Sequence, residues 1–146
     1  MPALIVKAPF GLPLTRPPWG RIAAIDLSTG YHLWRVASGD TPAEIRDHPK
    51  LKGVNLPRTG SIEIPGLLVT KSLLFAGEGA GLFVPPGGGR AFHAFDKKTG
   101  ELIFELMLPL RQSGNPMTYT IDGKQFIVVP TGDRGQAGEL IALTLP

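Results

Sequence analysis

Two copies of one short pattern decide the fold of this chain. The first copy is Ala24-Ile25-Asp26-Leu27-Ser28-Thr29-Gly30-Tyr31-His32-Leu33-Trp34. The second, 70 residues later, is Ala94-Phe95-Asp96-Lys97-Lys98-Thr99-Gly100-Glu101-Leu102-Ile103-Phe104. Asp and Thr side chains can hydrogen-bond the backbone of a turn, and Gly accepts the positive φ that such a turn often needs. The pattern therefore predicts a strand–turn–strand unit that repeats along the chain.

The composition favours a β protein with many turns. The chain has 146 residues, among them 19 Gly and 15 Pro, so ordinary helices would be interrupted at short intervals. A hydrophobic fraction of 42% is too high for a disordered chain. The length fits one domain, or a piece of one.

Charge and residue usage exclude several partners. The net charge is only +3 and the basic residues are scattered, so we expect no nucleic-acid partner. Cysteine is absent, which excludes disulfides and thiolate metal sites. No apolar run is long enough to predict a transmembrane segment. The first residues also lack the pattern of a signal peptide.

The strand and turn pattern predicts nine strands in three units. Residues 1–20 form an extended, proline-rich lead-in, and residues 21–146 form the repeat segment. Two strands are predicted in residues 21–37, four in residues 61–108 and three in residues 115–146. Four-stranded units repeated around an axis make a β-propeller. The predicted fold is therefore all-β: a partial propeller of about two to two-and-a-half blades.

Such a segment cannot bury its outer faces alone. Each unit of a repeat protein packs only against its neighbours. We therefore expect exposed apolar sheet faces, and a partner that is either the missing blades or a second copy of the chain. In the connection over residues 38–60 we expect at most one short helical turn, with Thr41 as its N-cap and Pro49 ending it.

The repeats resemble a known family. The complete pattern Ala-x-Asp-x-x-Thr-Gly-x-x-x-Trp resembles the tryptophan-docking repeats of quinoprotein dehydrogenases. Those enzymes are eight-bladed propellers that bind pyrroloquinoline quinone (PQQ) and oxidise sugars or alcohols. Further stretches are similar to the C-terminal portion of the glucose-dehydrogenase-like branch: Pro17-Pro18-Trp19-Gly20, Pro116-Met117-Thr118-Tyr119 and the run from Asp122 to Val129.

The resemblance implies roles for particular residues. Two sets follow from it. The docking motif is structural and comprises Ala24, Asp26, Thr29, Gly30, Trp34, Ala94, Asp96, Thr99, Gly100 and Phe104; in it, the position of Trp34 packs between blades. The segment that approaches the quinone corresponds to Gly60, Ser61, Ile62 and Glu63. The family's catalytic base, Ca²⁺ ligands and most PQQ contacts come from earlier blades, so we assign no catalytic or metal residue here.

At the level of the whole protein, the resemblance implies a periplasmic dehydrogenase. The parent reaction removes a hydride equivalent from a carbon bearing a hydroxyl, with the quinone as acceptor, and this chain alone is expected to be inactive. The alternative is a non-catalytic propeller module that acts as a scaffold or binds a partner chain.

Several other residues have a structural or solvated interpretation. His32, His48 and His93 are not spaced as metal ligands. The glycine-rich stretch from Gly77 to Gly81 lacks the Lys-Ser/Thr of a phosphate-binding loop. Trp19 fits a packed aromatic better than a ligand contact. Among the loop charges on the predicted cofactor face, Glu78, Asp133 and Arg134 are interpreted as solvated.

Overall fold

A computed structural model describes residues 7–61, 64–79, 89–133 and 135–145. In those ranges it shows nine strands, one four-residue helix and one 3₁₀ turn. The strands are Arg21–Ile25 (β1), His32–Ala37 (β2), Leu67–Val69 (β3), Leu73–Gly77 (β4), Ala91–Asp96 (β5), Leu102–Met107 (β6), Met117–Ile121 (β7), Lys124–Thr131 (β8) and Glu139–Thr144 (β9). The helix α1 is Ala43–Arg46, and the 3₁₀ turn is Pro49–Leu51.

The strands form three antiparallel sheets in chain order. The first sheet is β1-β2, the second is β3-β4-β5-β6 and the third is β7-β8-β9. The two copies also share a shift in strand register. The pairing of β1 with β2 shifts between Ala24 and Ile25, and the pairing of β5 with β6 shifts between Ala94 and Phe95. The predicted all-β fold, a partial propeller, is confirmed.

Two apolar clusters join the sheets. Between the first and second sheets, Ile22 of β1 meets Leu74 and Ala76 of β4 and Phe95 of β5. Between the second and third sheets lie Phe92, Leu108 and Val129, with flanking side chains from β4, β6, β8 and β9. Alternate residues of β5 therefore serve opposite faces, and Ala91–Phe95 are all buried. Each large apolar side chain buried there contributes roughly 1.5–3 kcal/mol.

The outer sheets leave apolar side chains in solvent. On β9, Ile141 and Leu143 contact the second cluster, so Leu140 lies on the opposite face, where it is 76% exposed. Met117 and Ile121 of β7 are also exposed, as are Leu33 of β2 and Leu27 in the first turn. No helix in the described residues is long and apolar enough to cross a membrane.

Leu67 and Val69 of strand β3 are exposed because β3 is an edge strand of its sheet. One local prediction was wrong. Thr41 was expected to cap the short helix, but α1 has Pro42 at its N-cap position and no side-chain cap. The Thr41 hydroxyl instead donates to the Pro57 carbonyl at 3.3 Å and accepts from the Thr59 amide at 3.2 Å.

Candidate functional site: the junction of the first two sheets

The two repeated turns have nearly the same structure. Asp26 Oδ1 accepts from the amides of Ser28 and Thr29, and Asp96 Oδ1 accepts from those of Lys98 and Thr99. These bonds favour the charged carboxylates: the Ser28 side chain contributes most to the lowered pKa of Asp26, and the Thr99 amide most to that of Asp96. The closing glycines are left-handed, with φ of +75° and +76°.

The turns differ in what covers them. The Trp34 side chain of the first sheet reaches the second turn, where its Nε1 donates to the Lys97 carbonyl at 3.0 Å. A Cβ built on Gly100 would lie 2.7 Å from Trp34 Cδ2 and Cε3, whereas one built on Gly30 meets nothing within 4 Å. Phe104, at the position of Trp34 in the second copy, is 55% exposed. One turn thus carries an indole and the other is open.

At the opposite end of the sheets, three chain segments cross at close range. The Trp19 amide donates to the Thr59 carbonyl, the Ser38 amide to the Gly20 carbonyl, and the Ser61 amide to the Ser38 carbonyl, at 2.8–3.0 Å. A Cβ on Gly20 would lie 1.8 Å from the Ser61 carbonyl oxygen, and one on Gly60 would lie 2.2 Å from that of Gly20. Glycine is therefore required on both sides of this crossing.

These contacts define what the predicted quinone-facing segment can offer. Gly60 is buried against Gly20, and the Ser61 amide is already bonded. Ser61 is a partly exposed residue, and its hydroxyl has no hydrogen bond among the described residues. Ile62 and Glu63 lie outside the described residues. A quinone carrying carboxylates needs hydrogen-bond donors, and the Ser61 hydroxyl is one such donor, whereas Gly60 packs against the Gly20 carbonyl.

Glu78 is a buried residue whose carboxylate links the first two sheets, here called the clamp. This corrects its interpretation as a solvated charge. Its side chain enters the space between the two sheets, and the residue is 6% exposed. Oε1 accepts from the Asp40 amide at 2.8 Å, and Oε2 from the Ala91 amide at 3.3 Å. Glu78 therefore holds the exit of β2 on the start of β5. A Cβ on Gly89 would lie 1.7 Å from Oε2, so this approach also depends on glycine.

Beside the clamp lies a cluster of three charged or titratable side chains. Arg58 Nη2 donates to Glu105 Oε2 at 2.5 Å, and His93 Nε2 lies 2.9 Å from the same oxygen. Because a carboxylate only accepts, His93 donates through Nε2. The hydrogen bond from Arg58 is the largest cause of the lowered pKa of Glu105, and it also raises the pKa of Arg58. The His93 side chain is only 3% exposed.

This cluster predicts a pH dependence of stability. The pKa of Glu105 is lower in the folded chain than its ordinary value of 4.5, so the unfolded state binds more protons between the two values. The stabilisation is thus complete above about pH 4.5 and is lost as the pH falls through the folded-state pKa. The free energy of unfolding, measured with urea at each pH, should therefore fall less between pH 7 and pH 3 for Glu105→Gln than for the original chain. We expect the two decreases to differ by less than about 1 kcal/mol, because the pair is partly solvated. Equal decreases would contradict the prediction.

A second polar group joins the second and third sheets. Gln112 is fully buried, and its Nε2 donates to the carbonyls of Gly66 and Gly114 at 2.8 and 2.7 Å. Next to it, Arg111 forms an ion pair with Asp133, which is an exposed residue. Arg134 lies outside the described residues.

His48 is held by two hydrogen bonds to the backbone. His48 Nε2 donates to the Phe10 carbonyl at 2.9 Å, and its Nδ1 accepts from the Lys50 amide. Within the described ranges, no group of three His, Asp or Glu side chains could hold a metal ion. In the glycine-rich stretch from Gly77 to Gly81, Gly77 ends β4, and residues 80–81 lie outside the described ranges.

Sequence reasoning missed most of the residues that build this junction. Glu78 was noticed but placed in solvent, and Arg58 and Glu105 were not singled out. Arg58 and Glu105 lie 47 positions apart, so no local pattern links them. One usable signal was present: His93 is the only titratable residue between Ala91 and Phe95, in the middle of an apolar strand.

The sheets and the indole docked on the second turn define a class, the tryptophan-docked β-propellers. A family model agrees: residues 2–127 match "PQQ: glucose/ethanol/alcohol dehydrogenase, beta-propeller domain". The chain belongs to this family.

Its relatives are much longer proteins. It is 35% identical over 145 residues to quinoprotein glucose dehydrogenase A of Acinetobacter calcoaceticus, and 30% identical over 144 residues to quinoprotein glucose dehydrogenase of Escherichia coli (strain K12). Each alignment covers 95% of this chain and 17% of the relative. The large subunit of a glycerol dehydrogenase from Gluconobacter thailandicus is 32% identical over 136 residues, covering 88% of this chain and 17% of that protein. The chain therefore spans about 17% of the length of these relatives.

Proposed function

We propose that this chain supplies C-terminal propeller blades to a periplasmic PQQ-dependent dehydrogenase that oxidises a sugar or another alcohol. The observation that carries the proposal is the difference between the two repeated turns. An indole covers Gly100, while the same turn at Gly30 is open and Leu27 beside it is 96% exposed. A further blade placed before β1 would cover that turn as the first sheet covers the second.

The relatives support the class of reaction. Their names include glucose, glycerol and quinate dehydrogenases, whose substrates all present a carbon bearing a hydroxyl. When bound, PQQ would supply the two-electron acceptor for that carbon. The junction in this chain would supply one wall of the quinone site through the Ser61 hydroxyl. Calcium, its ligands and the general base would come from other blades.

The test is reconstitution. The chain alone, given PQQ, Ca²⁺, glucose or glycerol and a reducible dye, should show no turnover. An in-frame or adjacent reading frame upstream that carries more Ala-x-Asp-x-x-Thr-Gly repeats should restore PQQ-dependent dye reduction when it is produced together with this chain. Turnover by the chain alone would overturn the claim that the active site lies elsewhere.

The same experiment discriminates the alternative function. If the upstream sequence lacks further repeats, or if the joined protein assembles but reduces no dye with any of these substrates, the dehydrogenase proposal fails. A non-catalytic propeller module would then remain.

A further inference from the structure

The segment Thr59-Gly60-Ser61, here called the wall segment, is held by two kinds of contact. Backbone hydrogen bonds tie it to Trp19 and Ser38, which flank the strands of the first sheet. The Thr41 hydroxyl adds a bond from within the same connection. None of these contacts reaches the second sheet.

Arg58, directly before the wall segment, makes that missing link. Its guanidinium bonds Glu105 on β6 and lies 3.5 Å from Nε2 of His93 on β5. Both partners are fixed by the sheet: His93 and Glu105 face each other in the register of β5 on β6, and the His93 ring packs on Phe95 at 5.7 Å between centroids. A long flexible side chain therefore ends on a rigid platform.

The surrounding charges keep Arg58 in place. After Glu105, the carboxylates of Asp40 and Glu78 also contribute to its raised pKa. Its planar guanidinium can meet Glu105 with one nitrogen while the other rests against the His93 ring, which a lysine ammonium cannot reproduce. The contact is thus specific in shape as well as in charge.

We propose that Arg58 is a positioning residue: by binding Glu105, which His93 holds from the neighbouring strand, it fixes the wall segment against the second sheet and so sets the place of the Ser61 hydroxyl. That this hydroxyl faces a quinone rests on the proposed function. That Arg58 holds the segment does not, and can be tested without any ligand.

The test uses the two tryptophans as separate reporters. Trp19 is bonded to the wall segment, whereas Trp34 lies on the second turn at the other end of the sheets. In the chain labelled with 5-fluorotryptophan, Arg58→Ala should move the fluorine signal of Trp19 and leave that of Trp34 in place. Amide exchange at Trp19 and Ser61 should become faster by up to about fivefold, as expected for a partly solvated ion pair, while exchange at Phe95 stays unchanged.

Three variants complete the experiment. Arg46→Ala is the matched control, because Arg46 is paired with Asp40 and Asp47 in the same connection but is not linked to the second sheet by these pairs. It should leave Trp19 and Ser61 unaffected. Glu105→Gln should accelerate exchange at Trp19 and Ser61 as Arg58→Ala does. Arg58→Lys should keep part of the protection at these two amides.

Two results would overturn the inference. Unchanged exchange at Trp19 and Ser61 in Arg58→Ala would mean that the ion pair holds nothing. Equal acceleration at Trp19, Ser61 and Phe95 would mean that Arg58 only adds global stability. Because no quinone is present, either result is independent of whether the assembled protein binds PQQ.

Discussion

Gly100→Ala is expected to destabilise the chain far more than Gly30→Ala, although the two glycines occupy the same place in the repeated turn. Their φ values differ by one degree, so a Cβ costs the same backbone strain at both sites, about 1–2 kcal/mol. Only at Gly100 does the new atom also meet the Trp34 ring, at 2.7 Å. Displacing that ring should cost about 1–3 kcal/mol more. Urea unfolding of both variants measures the difference.

The same two glycine substitutions should also be compared in a chain that carries Trp34→Ala. With the indole removed, Gly100→Ala should cost no more than Gly30→Ala, because backbone strain alone remains. The double-mutant cycle thus isolates the contact between Trp34 and Gly100. Equal costs of the two glycine substitutions in the original chain would mean that the indole is not docked on the second turn.

The repeated pattern predicted the strand–turn–strand units correctly because the interactions that form each turn are local in sequence. Asp26 and Asp96 bond amides two and three residues ahead, and the glycine that follows takes the positive φ. All of the interactions that define the turn lie within five residues, so the sequence carries them in full. The strands on either side follow from the turn, and even the shift of register after Ala24 recurs after Ala94.

The junction could not be predicted in the same way, because its partners are far apart in sequence. Glu78 looks like a loop charge until β2 and β5 bring two amides, those of Asp40 and Ala91, to its carboxylate. Those amides carry no sequence signature, since every residue other than proline has one. A side chain that binds backbone across two sheets is therefore invisible to pattern reasoning.

Gly60 shows the limit of transferring a role by position. The resemblance to the family assigned it to the quinone-facing segment, and its direct contact with a quinone stays a prediction. The structure supplies another reason for a glycine at this position. Its φ is +67°, and the Gly20 carbonyl occupies the space of a side chain. A glycine that is required for close packing and one that is required by a ligand look the same in a sequence.

Gly60→Ala should have the largest effect of any alanine substitution in the connection between the first and second sheets. The new Cβ would combine left-handed strain with an approach of 2.2 Å to the Gly20 carbonyl oxygen and 2.9 Å to that of Ser38. Both atoms belong to backbone that is hydrogen-bonded across the crossing, so neither can move without breaking a bond. We expect a loss of more than about 3 kcal/mol, measured by urea unfolding.

Gly53→Ala is the matched control for this substitution. Gly53 lies in the same connection and is also left-handed, with φ of +83°, but a Cβ there meets nothing within 4 Å. It should cost only the backbone strain, about 1–2 kcal/mol. If Gly60→Ala does not fold, Gly20→Ala tests the same crossing without the strain, because Gly20 has no positive φ. Only close contacts of its Cβ with backbone remain there, the shortest being 1.8 Å to the Ser61 carbonyl oxygen. A cost for Gly60→Ala no greater than for Gly53→Ala would show that the three segments do not cross as closely as the structure has them.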